Sequence, residues 1–201
     1  INDIREENGY IYFTIENSNV SIVNSLRRTI LSDIPISCIK TEPYNNKSSD
    51  LVSTIIHENT TSFTNEILKQ RLACIPVHIK DSKKMFIENL MLELDIVNKT
   101  DSLMYVTTEN FKIKDMATKQ YLTDVQTRKI FPPNDFTKDY ILFARLKPKI
   151  SKELEGEKLK LSARFQIKTA KESGQFNVCS SVGYKNTVNE VLSNEAWLKY
   201  R

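Results

Sequence analysis

Glycine and histidine are scarce in this chain, with 4 Gly and 2 His among 201 residues. No G-x-x-x-x-G-K loop cradles a phosphate, no G-x-S-x-G presents a nucleophile, and no H-E-x-x-H holds a catalytic metal. Only three cysteines occur, Cys38, Cys74 and Cys179, far apart and without a C-x-x-C pair. Zinc requires several closely spaced thiolates or imidazoles, so no metal site is expected, and three buried free thiols are. The 6 Pro and 4 Gly are too few for a linker-rich or low-complexity chain. No apolar run approaches the ~20 residues that cross a bilayer, and no signal peptide opens the chain. Cations barely outnumber anions, 29 to 25, for a net charge of +4. A dedicated nucleic-acid binder carries a stronger and more clustered excess. The nearest approach to an acidic catalytic pair, Glu93 and Asp95, lies two apart on an expected strand and reads as a solvated face. Neither a catalytic residue nor a cofactor is expected.

What is present is an α+β pattern. Ile11 to Ile15 is a β-branched and aromatic run that predicts a strand. Ser18 or Asn19 caps a helix over Val20 to Ser32. Its apolar face carries Ile22, Val23, Leu26 and Ile30, Asn24 and Arg28 take the other side, and Arg27 lies on the boundary. Asp33-Ile34-Pro35 stops it, and Ile36 to Lys40 resumes as extended chain. Glu42 to Asp50 reads as a loop and Leu51 to Ile56 as a strand. Thr64 caps a second helix, with Phe63 and Leu68 as a hydrophobic staple and Ile67, Leu68 and Leu72 as its buried stripe. Val77-His78-Ile79 reads as a strand after Cys74-Ile75-Pro76.

From Phe86 onward the period is two. Leu90 to Ile96 alternates, Asn98 to Asp101 turns, and Leu103 to Thr107 returns, which predicts a hairpin. Tyr140 to Leu146, Leu159 to Ile167 and Phe176 to Tyr184 are further expected strands. Thr187 and Glu190 predict a capping box opening a last helix through Trp197 and Leu198. Asn46, Asn59 and Asn98 each begin an Asn-x-Ser/Thr tripeptide, read as chance matches to the glycosylation sequon.

Two blocks stand out. The first is Asn24-Ser25-Leu26-Arg27-Arg28 followed by Ile30-Leu31-Ser32-Asp33-Ile34-Pro35. The second is Asn59-Thr60-Thr61, then Asn65-Glu66, Arg71-Leu72 and Ile75-Pro76-Val77. Together they resemble the alpha-type subunits of multi-subunit DNA-directed RNA polymerases: bacterial alpha, archaeal D and the eukaryotic third-largest-subunit type. That family carries N-[ST]-L-R-R and I-P, then N-T-T, D-E, H-R-L-G and I-P-L, at similar spacing. Gly174 to Val178 occupies the place of its A-H-A-K-[WF] segment. The resemblance is dense in the two blocks and thin between Lys83 and Lys168. Asn65, Gln70 and Ala73 depart from the family's Asp, His and Gly, and the cysteine loop of some members is missing. These departures, with a composition rich in Asn, Ile and Lys, point to a divergent member, with a large DNA virus as the expected source.

The resemblance implies a non-catalytic scaffold with a discontinuous dimerisation domain. Its first segment is expected over residues 1–37, an inserted strand-rich domain over 38–184, and a helical return over 185–201. Asn24, Arg27 and Arg28 would dock other subunits, since paired guanidinium groups suit carboxylates and carbonyls. Ile22, Val23, Leu26 and Ile30 would pack the dimerisation core. Glu66 and Arg71 fit either a subunit contact or local roles at the ends of their helix.

The implied partners are a smaller alpha-like subunit, the second-largest and largest polymerase subunits, and small accessory subunits. No membrane and no sequence-specific DNA contact are implied. Because the chain opens on Ile1 and ends before a completing helix, a longer polypeptide is expected, with the small partner either separate or fused behind. The setting would be intracellular: host cytoplasm or virion for a virus, nucleus for a cellular eukaryote. The alternative is a free-standing basic nucleic-acid-binding module using Lys147, Lys149, Lys152, Lys158 and Lys160. Glu153, Glu155 and Glu157 interrupt that run, which also reads as a solvated turn.

Overall fold

The computed structural model describes residues 1–41, 54–79, 87–151 and 155–200. The fold is α+β, and the chain divides into two compact units, one of residues 1–34 with 177–201, the other of residues 35–176.

The first unit opens with a hairpin. Strand β1 (Asn2–Glu7) pairs antiparallel with β2 (Tyr10–Thr14). Asn8 and Gly9 both take left-handed φ values, 52° and 78°, the pair that a two-residue hairpin turn requires. Helix α1 (Val20–Ser32) follows, begun where the Asn19 side chain accepts from the Ser21 N–H at 2.8 Å. It ends where the Asp33 N–H bonds to Thr29 O at 2.9 Å, just before Pro35. Helix α4 (Glu190–Lys199) closes the chain. The expected capping box on Thr187 is not its start: Asn189 is the cap, and its side chain accepts from the Leu192 N–H. The expected strand over Phe176 to Tyr184 is absent. A single 3-10 turn (Gly174–Phe176) gives way to coil. No described residue of this unit is buried.

The second unit is built on one long strand. In chain order it contains β3 (Ile36–Lys40), β4 (Thr54–Asn59), α2 (Asn65–Ala73), β5 (Leu90–Val97), β6 (Met104–Thr107), β7 (Lys112–Asp115), α3 (Asp124–Ile130), β8 (Leu142–Leu146) and β9 (Lys158–Lys168). β9 is flanked on one side by β5, which in turn pairs with β7. On the other side β3 and β4 lie end to end along it, β3 against residues 164–168 and β4 against residues 159–163. The Thr54 hydroxyl donates to Lys40 O at 2.6 Å and joins the two.

β6 pairs with β8 in a separate two-stranded sheet. The expected hairpin between Leu90 to Ile96 and Leu103 to Thr107 is therefore wrong, since β5 takes β7 and β9 as its neighbours. Asn98, with no exposed area, diverts the chain. Its amide donates to Ser102 O and Leu146 O at 2.9 and 3.0 Å, and its carbonyl accepts from the Thr100 N–H and hydroxyl. Asn59 repeats the arrangement with Phe63 O, Asn65, and the Thr61 N–H and hydroxyl. Both Asn-x-Thr tripeptides are thus structural knots with their amide nitrogens committed. The tripeptide at Asn46 and the loop expected over Glu42 to Asp50 lie outside the described residues, as does the start of the strand expected from Leu51.

The core joins Leu92, Leu94, Leu161 and Phe165 of the large sheet to Leu68 and Leu72 of α2, and to Val106, Phe143 and Leu146 of the small sheet. Phe111 meets Phe131 and Phe143 edge to face at 5.5 and 5.6 Å, a favoured geometry for ring quadrupoles. Two expectations for α2 and the chain after it need amending. Thr64 caps it, but Ile67 is 42% exposed and not part of the buried stripe. Val77-His78-Ile79 forms no strand; its chain is held where the His78 N–H donates to Ile130 O. Among the described residues no helix is long and apolar enough to cross a membrane.

Candidate functional site

Helix α1 carries the first block. The Arg27 Nε donates to the Asn24 side chain at 3.0 Å, so these two share one ledge of the helix, half-buried. Arg28 is exposed, and neither arginine has an ion-pair partner among the described residues. Ser25 and Ser32 return their hydroxyls to the carbonyls of Ser21 and Arg28 at 2.8 Å. On the apolar side Ile22 is 64% exposed, while Val23, Leu26 and Ile30 are only half-buried. Its own unit leaves this stripe only partly covered.

Glu66 and Arg71 belong to the other unit. Glu66 lies in the first turn of α2, fully exposed. Hydrogen bonding by its own backbone N–H, then by the Thr64 hydroxyl, holds its carboxyl below the usual value. Arg71 is engaged inside its own unit. Its Nε donates to Phe143 O at 2.8 Å, its Nη2 to Leu142 O at 3.0 Å, and its guanidinium lies over the Phe63 ring at 5.5 Å. It ties α2 to β8.

The residues considered for nucleic-acid binding are paired with acids. Lys147 meets Glu157, Lys149 meets Asp101, Lys158 meets Glu58 and Glu155, and Lys160 meets Asp95 at 2.6 Å. Lys152 lies outside the described residues. Glu93 and Asp95 are committed too. Glu93 accepts from the Tyr121 hydroxyl at 2.6 Å, a bond that raises the phenol's pKa, and Asp95 raises that of Lys160.

Of the three cysteines only Cys38 is buried, and burial pushes its thiol up to about 11. Cys74 is exposed and Cys179 half-buried, which corrects the expectation of three buried thiols. No cluster of three potential metal ligands exists among the described residues.

Sequence reading missed one polar pair, His57 Nε2 with Ser162 Oγ at 2.9 Å on exposed surface. Acyl transfer needs an acid that orients the imidazole, and among the described residues no carboxylate hydrogen-bonds this ring. A cavity of about 150 Å³ lies beside Thr108, Glu109, Asp124, Arg128 and Tyr140, small against the ~300–1,000 Å³ of ordinary ligand pockets.

The chain matches no family model, and no curated protein matches its sequence.

Proposed function

We propose that this chain is a non-catalytic, alpha-type assembly subunit of a DNA-directed RNA polymerase. It pairs with a smaller alpha-like chain, and the pair then docks the second-largest and largest subunits. The observation that carries the reading is the state of α1. The Asn24-Ser25-Leu26-Arg27-Arg28 block lies on a helix whose apolar stripe is uncovered, in a unit that buries no described residue. Exposed apolar area costs about 25 cal/mol per Å² relative to its burial, so such a stripe gains most by meeting another chain. The guanidinium heads of Arg27 and Arg28, without an ion-pair partner among the described residues, fit the rim of that interface, where arginine gives bidentate contacts. A second support is chain order. The unit holding α1 is assembled from two segments that flank the other unit in sequence, which suits the family's interrupted dimerisation domain.

The mechanism is templated assembly, in which apolar burial along Ile22, Val23, Leu26 and Ile30 sets the dimer and the arginines select the docking face. The test is purification of the tagged protein from its native source, with identification of the chains that accompany it. Two very large subunits and one small one are expected in stoichiometric amounts. Ile22→Asp with Leu26→Asp should lose the small chain, and Arg27→Glu with Arg28→Glu should lose the large ones. A lone monomer in the native material would refute the assignment.

A further inference from the structure

The face of the large sheet away from the core carries a second charged feature, visible only through strand register. Lys40 of β3 stands opposite Arg164 of β9, Arg164 opposite Met91 of β5, and Met91 opposite Lys114 of β7. Period-two alternation puts all four side chains on the face opposite Leu92, Ala163 and Ile113, which are buried. With neighbouring strands ~4.8 Å apart, three cations form a row about 15 Å long across four strands. Lys112 adds a fourth charge two residues along β7. Among the described residues none of these four has a carboxylate within ion-pair distance. They contrast with Lys99, Lys147, Lys149, Lys158 and Lys160, all of which do. Like charges directly opposite one another destabilise a sheet, and an anion laid across the row removes that cost.

We propose that this row is a docking surface for an acidic, partly apolar polypeptide segment of another protein. The polymerase assignment is not required for it. The row itself selects for negative charge. Met91 at its centre, half-buried, and Ile55, 39% exposed in the adjacent row beside Ser162, supply apolar contact between the charges. A single-stranded nucleic acid fits less well. It needs open aromatic faces for its bases, and the aromatic ring adjoining the row, Tyr121, has Lys114 Nζ 5.4 Å from its centroid and its hydroxyl bound to Glu93.

The test uses the full chain and a labelled peptide of repeating Asp-Leu-Glu units, followed by fluorescence anisotropy, with oligothymidylate as the competing probe. The peptide should bind at low ionic strength and be released as salt screens the row. Arg164→Gln with Lys114→Gln should weaken it about five- to tenfold. Lys99→Gln with Lys147→Gln, which removes the same charge from paired positions, should leave it unchanged. Lys40→Gln with Lys112→Gln, on the two outer strands, repeats the experiment if the first pair disturbs folding. Lys40→Gln alone should also raise the melting temperature by relieving the like-charge pair. Absence of peptide binding at low salt, or equal loss in the paired-lysine control, overturns the proposal. Displacement of the peptide by oligothymidylate at lower concentration overturns it in favour of nucleic acid.

Discussion

The two units of this chain handle apolar side chains in opposite ways. Residues 35–176 bury leucines, isoleucines and phenylalanines from two sheets and a helix in one core. Residues 1–34 and 177–200 have a comparable apolar content yet bury none of it, with Ile22 and Trp197 left 64% and 74% exposed. Fixing a backbone costs about 1–2 kcal/mol per residue, which the second unit offsets internally and the first does not. The first unit's order depends on what covers it, and on the proposed reading that cover is a partner subunit. Independence and dependence thus coexist in one polypeptide, and the units should respond differently to the same kind of damage.

The largest contrast is expected between Leu92→Ala and Leu26→Ala. Leu92 has no exposed area, and its truncation should lower the unfolding free energy of the unpartnered chain by about 2–5 kcal/mol. The half-buried Leu26 should cost about 1 kcal/mol or less, because little surrounding structure loses contact. Denaturant melts of the two variants decide this, and equal losses would erase the distinction between the units.

Next is Asn98→Ala, which strands the buried Leu146 carbonyl and releases the part-buried Ser102 carbonyl and Thr100 donors. A loss of about 3 kcal/mol is expected, against about 1 kcal/mol for the half-buried twin, Asn59→Ala. Arg71→Ala should cost about 2 kcal/mol through the two carbonyls it releases. Arg71→Lys should not restore it, since one ammonium cannot reproduce the fork; full recovery by lysine would show that charge alone suffices.

The smallest effect is pH-dependent. Cys38 has its folded pKa raised from 9.0 to about 11, so above about pH 9 the unfolded chain sheds a proton that the folded chain keeps. Stability should fall as pH rises through that window, by about 1 kcal/mol at pH ~10, and Cys38→Ala should flatten the slope. Alkylation gives a companion measurement. Cys179, in the first unit, should react without unfolding, and Cys38 only at the rate at which the second unit opens.

Local signals carried much of the fold. Helix α1 was readable because its cap, apolar spacing and stop lie within one short stretch ending at Pro35. Strand β9 was readable from its alternation. The β1 strand was missed because Asn2–Glu7 is polar and rises to a strand only through the Asn8-Gly9 turn, a signal that was there to use. Helix α3 was missed because it is one short segment with only Thr127 and Ile130 buried. Its capping box, Thr123 with Gln126, was nevertheless legible.

The mistaken hairpin shows the limit. Adjacent strands were assumed to pair, whereas β5 finds its neighbour in β9, whose matching row of Leu159, Leu161 and Ala163 lies far along the chain. The candidate site divides in the same way. The α1 block was visible as a motif, but the target of Arg71 lies 72 residues away, and the cation row exists only after register is set.

The seam between β3 and β4 has a practical consequence. β3 ends at Lys40 and β4 begins at Thr54, and the Thr54 hydroxyl bonds to the Lys40 carbonyl where they meet along β9. Both strands take their register from β9, so Thr54→Ala, which removes that hydroxyl, should leave β3 and β4 aligned on it.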